Sequence, residues 1–158
     1  MTTPALFTSE QVQAARTKLW LKGNLSWKLE PTQKKMYEFF KNCNTKIVVW
    51  NASRRLGKSW TLLILAIEEC IKTHNTTVKY ITPQQKMARN ISKQVMREII
   101  DDAPPEVRPD FKVNECVFVF PNGSEIQLAG TDNGNHEKLR GSKAKMCVVD
   151  EAAFCSDL

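Results

Sequence analysis

The run Ile47-Val48-Val49-Trp50 ends abruptly in the polar, basic turn Asn51-Ala52-Ser53-Arg54-Arg55-Leu56. Gly57-Lys58-Ser59 then opens a helical stretch over residues 60–71. No other stretch constrains the chain as strongly, because it prescribes a strand, a tight polar loop and a helix in immediate succession. β-Branched and aromatic residues favour the extended form. The loop has the composition of one that wraps a polyphosphate, with successive backbone N–H groups and the positive end of the helix facing the anion. Gly57 has no Cβ to obstruct close approach. Lys58 has the reach to engage β- and γ-phosphates, and the Ser59 hydroxyl suits a Mg²⁺ ion beside them. One residue departs from the usual loop: the glycine expected five positions before Gly57 is Ala52. The alternative is a chance Gly-Lys-Ser at a helix start, which the flanking strand and helix patterns disfavour.

A second element complements the first. Lys145-Met146-Cys147-Val148-Val149-Asp150-Glu151-Ala152-Ala153-Phe154 carries a continuous apolar run, as a buried parallel strand does, and ends in two carboxylates. With a triphosphate on the upstream loop, Asp150 would hold Mg²⁺ through a bound water, and Glu151 would polarise the water attacking the γ-phosphorus. Alternation along an extended strand sends the two side chains different ways. An Asp-Glu pair alone is common; it gains meaning from the loop.

Between and around these elements the pattern alternates strand and helix. Thr8 with Gln11 forms a capping box ahead of Val12, Ala15 and Leu19 at helical spacing. Pro31 suits the first turn of a second helix with Met36, Phe39 and Phe40 as its apolar positions. Gln33, near that helix start, has an amide able both to donate to and accept from an adenine edge; a solvated glutamine is the alternative. Residues 77–82 read as a strand, and Thr82-Pro83 opens a helix to about Ile100. Met87, Ile91, Val95 and Ile99 form one side of that helix, with Lys86, Arg89, Lys93 and Arg97 roughly opposite. Such a cation stripe could track a phosphate backbone or be a solvated face. Residues 111–120 read as strand, Asn122-Gly123 as a hairpin turn, and residues 125–128 as the returning strand. The polar loop over residues 130–136 is expected to border the site. Together these elements predict an α/β, P-loop NTPase-type fold. Its mainly parallel sheet is flanked by helices and carries an inserted β-hairpin.

Composition narrows the classes. With 158 residues, 42% hydrophobic and 25% charged, the chain reads as one globular core, residues 25–158, behind a helical lead-in, 1–24. The longest apolar run, residues 62–67, is too short to span a bilayer, and no signal-peptide core is present. A net charge of +6 favours an acidic partner such as nucleic acid. Five cysteines without Cys-x-x-Cys spacing read as free thiols in a reducing compartment, and His74 and His136 have no ligand-like spacing.

The set Pro31-Thr32-Gln33, residues 53–59, Leu139-Arg140-Gly141 and residues 148–154 resembles the large terminase subunit of tailed bacteriophages, over the chain from about Leu25 onward. The resemblance accommodates Ala52, since the family's loop often lacks the first glycine and carries an arginine at the position of Arg54. It implies an N-terminal ATPase, using ATP and Mg²⁺, that drives double-stranded DNA into a procapsid. By position it implies that Gln33 contacts the nucleotide and that the loop Ser53, Arg54, Arg55, Leu56, Gly57, Lys58 and Ser59 binds phosphate. It further implies that Ser59 and Asp150 serve the metal and Glu151 is the catalytic carboxylate. Arg54 would sense the γ-phosphate within the subunit, and Arg140 would act as an arginine finger on a neighbouring subunit. Arg55 is also readable as a solvated arginine beside the site. The implied partners are DNA, further copies in a ring, the capsid portal and a small terminase subunit, with no membrane. The implied place is the bacterial host cytoplasm, docked transiently on the procapsid. The family continues with more core strands, a coupling motif and a nuclease domain; none follows here before Leu158, so the expectation is a C-terminally incomplete ATPase. Two readings compete: a helicase-like DNA translocase, against which Ala52 and Arg54-Arg55 argue, and a nucleotide-binding module without turnover.

Overall fold

The computed structural model describes residues 8–132 and 143–155, with Ser92 and Lys93 described by backbone alone. Among the described residues five α-helices and five strands follow in the order α1 (Ser9–Leu21), α2 (Pro31–Asn42), α3 (Lys58–Lys72), β1 (Thr77–Thr82), α4 (Gln85–Lys93), α5 (Val95–Ile100), β2 (Asp110–Lys112), β3 (Val117–Val119), β4 (Glu125–Gly130) and β5 (Met146–Val149). The sheet order is β2-β3-β4-β1-β5. β1 lies parallel between β4 and β5, while β2, β3 and β4 form an antiparallel meander. The sheet is therefore mixed rather than mainly parallel.

The centre of the core is α3 with β1. Leu63, Ile64, Ala66 and Ile67 of α3 and Val78 and Tyr80 of β1 are fully buried, as a central strand covered on both faces requires. The Asn-Gly turn joins β3 to β4 as expected. Phe120 and Gly123 close it through the Gly123 N–H to the Phe120 carbonyl, and a Cβ on Gly123 would collide with the Asn75 amide oxygen.

Four local expectations are corrected. Residues 47–50 pair with no strand among the described residues: Ile47 and Val49 are 80% and 83% exposed, Val48 is half-buried, and Trp50 packs against the core, edge-on to Phe40. The anticipated strand over residues 111–120 folds back on itself through a turn at residues 113–116, where Cys116 takes a left-handed φ of 59°. The anticipated single helix to Ile100 is broken at Gln94 (φ −107°, ψ −74°), which lets Met96 and Ile99 of α5 turn into the core. Among the described residues β5 pairs with β1 alone, and Cys147 is exposed, so its apolar run does not mark burial on both faces.

The N-terminal segment is tied to this core at particular points. The capping box of Thr8 and Gln11 forms, yet Val12 and Ala15 are exposed, and α1 is held by Trp20, its buried residue, and by Arg16, which lies over the Trp27 ring. The Trp20 indole donates to Asp102 Oδ1 at 3.3 Å, and the Lys28 ammonium pairs with the same oxygen at 2.6 Å while lying over the Trp27 ring. In α2, Tyr37 is the buried residue, whereas Phe39 is 61% exposed.

Candidate functional site

Residues 51–57 form an irregular loop that turns the chain into α3. Two of its residues, Arg55 (φ 65°) and Gly57 (φ 77°), are left-handed. That conformation is free to glycine and costs a branched or long side chain on the order of 1–2 kcal/mol, so the loop's path rather than its composition demands it. Lys58 begins α3, and its ammonium reaches back to the carbonyls of Ala52 (3.0 Å) and Ser53 (3.1 Å), closing the loop upon itself. Ala52, at the position where glycine was expected, thus contributes its carbonyl to the lysine.

The next residue makes the long-range connection. Ser59 Oγ donates to Asp150 Oδ2 at 2.6 Å, across 91 residues of chain. The same oxygen accepts the Tyr80 hydroxyl at 2.8 Å. Asp150 is 4% exposed and its backbone N–H donates to the Ile81 carbonyl, one step beyond the β1–β5 ladder. Tyr80 holds its proton well above the ordinary tyrosine range, first because burial disfavours the phenolate and second because of the adjacent Asp150 charge. Sequence reasoning passed over Tyr80, since a tyrosine among the mixed polar and apolar residues of β1 carries no signal until its burial and its bond to Asp150 are seen.

Glu151 diverges from Asp150 by a different route than strand alternation. β5 ends at Val149, and Glu151 takes a left-handed φ of 57° to start the 3-10 turn Ala152–Phe154, which leaves it exposed. It faces a cleft of about 850 Å³ shared with Arg54, Arg55, Lys58, Ser59 and Asp132. That volume lies within the range of small-molecule sites. Three cations, Arg54, Arg55 and Lys58, among the lining residues suit a polyanion. The hydroxyl and carboxylate of Ser59 and Asp150 are hard oxygen donors of the kind Mg²⁺ prefers, with ligand phosphates completing its shell. Among the described residues no cluster of three His, Cys, Asp or Glu side chains exists, so an ion here would depend on the ligand's own oxygens. Asp132 also accepts from the Gln85 N–H at 2.9 Å, tying α4 to the cleft.

Gln33 is placed beside the loop but not among the residues that line the cleft. Its amide nitrogen donates to the Leu56 carbonyl at 3.3 Å, and its oxygen accepts from the Glu30 N–H at 3.0 Å. The space a Cβ on Gly57 would take is filled by the Gln33 amide. Ser53 is exposed and Leu56 half-buried. Leu139, Arg140 and Gly141 lie outside the described residues, as does most of the loop over residues 130–136. Lys86 and Arg89 border a separate groove of about 520 Å³ against the 113–116 turn. Arg97 is exposed on α5, beyond the break at Gln94, and the Lys93 side chain lies outside the description.

Comparison with known proteins gives two matches. The family described as terminase large subunit, T4likevirus-type, N-terminal, matches residues 49–157. A relative named tripartite terminase subunit 3, from Human herpesvirus 8 type P (isolate GK18), is 24% identical over 110 residues, 69% of this chain. The matched region spans 16% of that relative's length.

Proposed function

Because this chain belongs to the large terminase subunit family, we propose that it is the ATP-binding and hydrolysing part of a viral DNA-packaging motor, built on a P-loop NTPase core. The observation that carries the reading is the Ser59–Asp150 hydrogen bond, which draws the loop and the end of β5 onto one cleft with Lys58 and Glu151. Lys58 exchanges its loop carbonyls for the β- and γ-phosphates, and the backbone N–H groups at the start of α3 face the same oxygens. Ser59 and Asp150 are the residues that hold Mg²⁺, which when bound neutralises charge on the phosphate oxygens. Glu151 is free of the buried pair and accepts a proton from the attacking water. Arg54 stabilises the negative charge at the γ-phosphate from within the subunit, with Arg55 beside it. Ser53 and Leu56 contribute loop backbone, and Gln33 joins the site through its contact with Gly57. Arg140 acts on the nucleotide of a neighbouring subunit, worth on the order of 10³ to 10⁵ in rate.

The cargo is double-stranded DNA, and the working assembly is a ring of copies on a procapsid portal, with a small terminase subunit, in the bacterial host cytoplasm. No helix among the described residues is long and apolar enough to cross a membrane. The test is ATP binding and turnover in the assembled motor. Lys58→Ala abolishes nucleotide binding, and Glu151→Gln binds ATP as the wild type does but does not turn it over. Full ATP affinity in the first variant removes the phosphate-loop assignment, and persistent hydrolysis in the second moves the chemistry elsewhere.

A further inference from the structure

Gln33, Tyr37 and Lys41 recur every fourth residue of α2 and so share one face of the helix. That face meets α3 at both ends. At its start, Gln33 bridges the Glu30 N–H and the Leu56 carbonyl, with its amide lodged where a Gly57 side chain would be. Further along, the Tyr37 hydroxyl donates to both oxygens of Glu68 (3.0 and 2.9 Å), and the Lys41 ammonium lies 2.9 Å from Glu68 Oε2. Glu68 is fully buried. It also accepts from the Leu25 N–H at 2.7 Å and from Lys72, one turn on in α3, at 3.2 Å. A buried carboxylate is costly unless every lone pair is engaged, and a leucine would fill the same space without that cost. What the carboxylate adds is direction: it fixes the segment before α2, α2 itself and α3 in one relative position. None of these hub atoms borders the cleft.

We propose that Glu68 is a positioning residue that latches α2 to α3, and that Gln33 transmits this latch to the phosphate loop by supporting Leu56 and Gly57 from behind. Gln33 then serves the shape of the loop and not the identity of the base. The proposal rests on the reading of residues 51–59 as a phosphate loop. Both functional ends of the Gln33 amide are committed to backbone groups, and Gly57 is needed there as much for Gln33 as for any ligand.

A base-free ligand separates the two roles. Binding of Mg²⁺-ATP and of Mg²⁺-tripolyphosphate to the purified protein is measured by calorimetry, at a temperature where melting curves show each variant folded. Gln33→Ala should weaken both ligands by one common factor, about tenfold, as expected for loss of a single supporting hydrogen bond. Glu68→Gln risks the fold, so Tyr37→Phe and Lys41→Met probe the hub; each should weaken both ligands equally, by about threefold. Either change combined with Gln33→Ala should be no worse than Gln33→Ala alone, because all act along one connection. Loss confined to ATP, with tripolyphosphate unaffected, would show a base contact and overturn the proposal. Fully additive losses would overturn the link through α2. Lys58→Ala is the separate control. If it leaves both ligands bound, the phosphate-loop reading fails and the latch with it; if it abolishes both while Gln33→Ala changes neither, only the latch fails.

Discussion

Replacing Tyr80 by phenylalanine removes one hydroxyl and leaves the ring that fills the core. That hydroxyl donates at 2.8 Å to Asp150 Oδ2, the oxygen that also accepts from Ser59 at 2.6 Å. Tyr80 is fully buried and Asp150 is 4% exposed, so water cannot replace the lost donor without rearrangement. A hydrogen bond to a charged acceptor contributes roughly 1.5–3 kcal/mol, and the vacated space is too small for a further large cavity cost. Tyr80→Phe is therefore expected to lower the unfolding free energy by about 1.5–3 kcal/mol, read as a shift in urea midpoint at constant m-value. Because Ser59 and Tyr80 share one oxygen, their deletions are coupled. Ser59→Ala should cost more in the Tyr80→Phe background than alone, since it then leaves a buried carboxylate without either side-chain donor. A Tyr80→Phe change below about 0.5 kcal/mol, or strict additivity in the double variant, would refute this account of how Asp150 is held.

Alkaline stability follows from the same burial. Tyr80 and Tyr37 are held protonated above their ordinary values, and burial pushes the Cys70 thiol from 9.0 up to about 12. For a group raised in the fold, stability is complete below the unfolded value and falls as pH rises. Urea unfolding should thus weaken from pH 9 toward 12 through Cys70 and above pH 10 through the tyrosines, by up to ~1.4 kcal/mol per pH unit for each group. A flat profile there would contradict it. Gly57→Ala forces a side chain into φ 77° and against the Gln33 amide. It should cost at least ~1–2 kcal/mol of stability along with nucleotide affinity, and adding Gln33→Ala should recover part of the stability. Changing Lys86, Arg89 and Arg97 to Gln should flatten the salt dependence of DNA binding by up to about 0.9 per charge in log–log slope, and an unchanged slope would show that these cations do not track the phosphate backbone.

What the sequence disclosed best were the features fixed by local chemistry. The Asn122-Gly123 turn, the capping box of α1, Pro31 in the first turn of α2 and the helix that follows Gly57 are all set by residues within one turn of each other. The spacing of Ser59 from Asp150 carries no information on their contact; the sequence reading assigns both residues to one metal ion and does not foresee the direct hydrogen bond that joins them. Where the reading failed, tertiary context decided. Residues 47–50 have strand composition but no hydrogen-bonding neighbour among the described residues, so composition alone could not make them a strand. The break at Gln94 follows no proline or glycine; it accompanies burial of Met96 and Ile99, which one continuous helix would not have oriented the same way. Tyr80 and Glu68 were invisible because a tyrosine in a strand and a glutamate in a helix are ordinary. Only their burial, and the partners gathered around them, distinguish them.

The convergence of Lys58, Ser59, Asp150 and Glu151 on one nucleotide is tested most directly by a crystal structure with a non-hydrolysable ATP analogue and Mn²⁺ in place of Mg²⁺. The anomalous signal of Mn²⁺ is expected at Ser59 Oγ on the side facing Asp150, with the triphosphate along the start of α3 and in contact with Lys58 Nζ. A triphosphate seated in another groove, such as that bordered by Lys86 and Arg89, or a metal remote from Ser59, would contradict it.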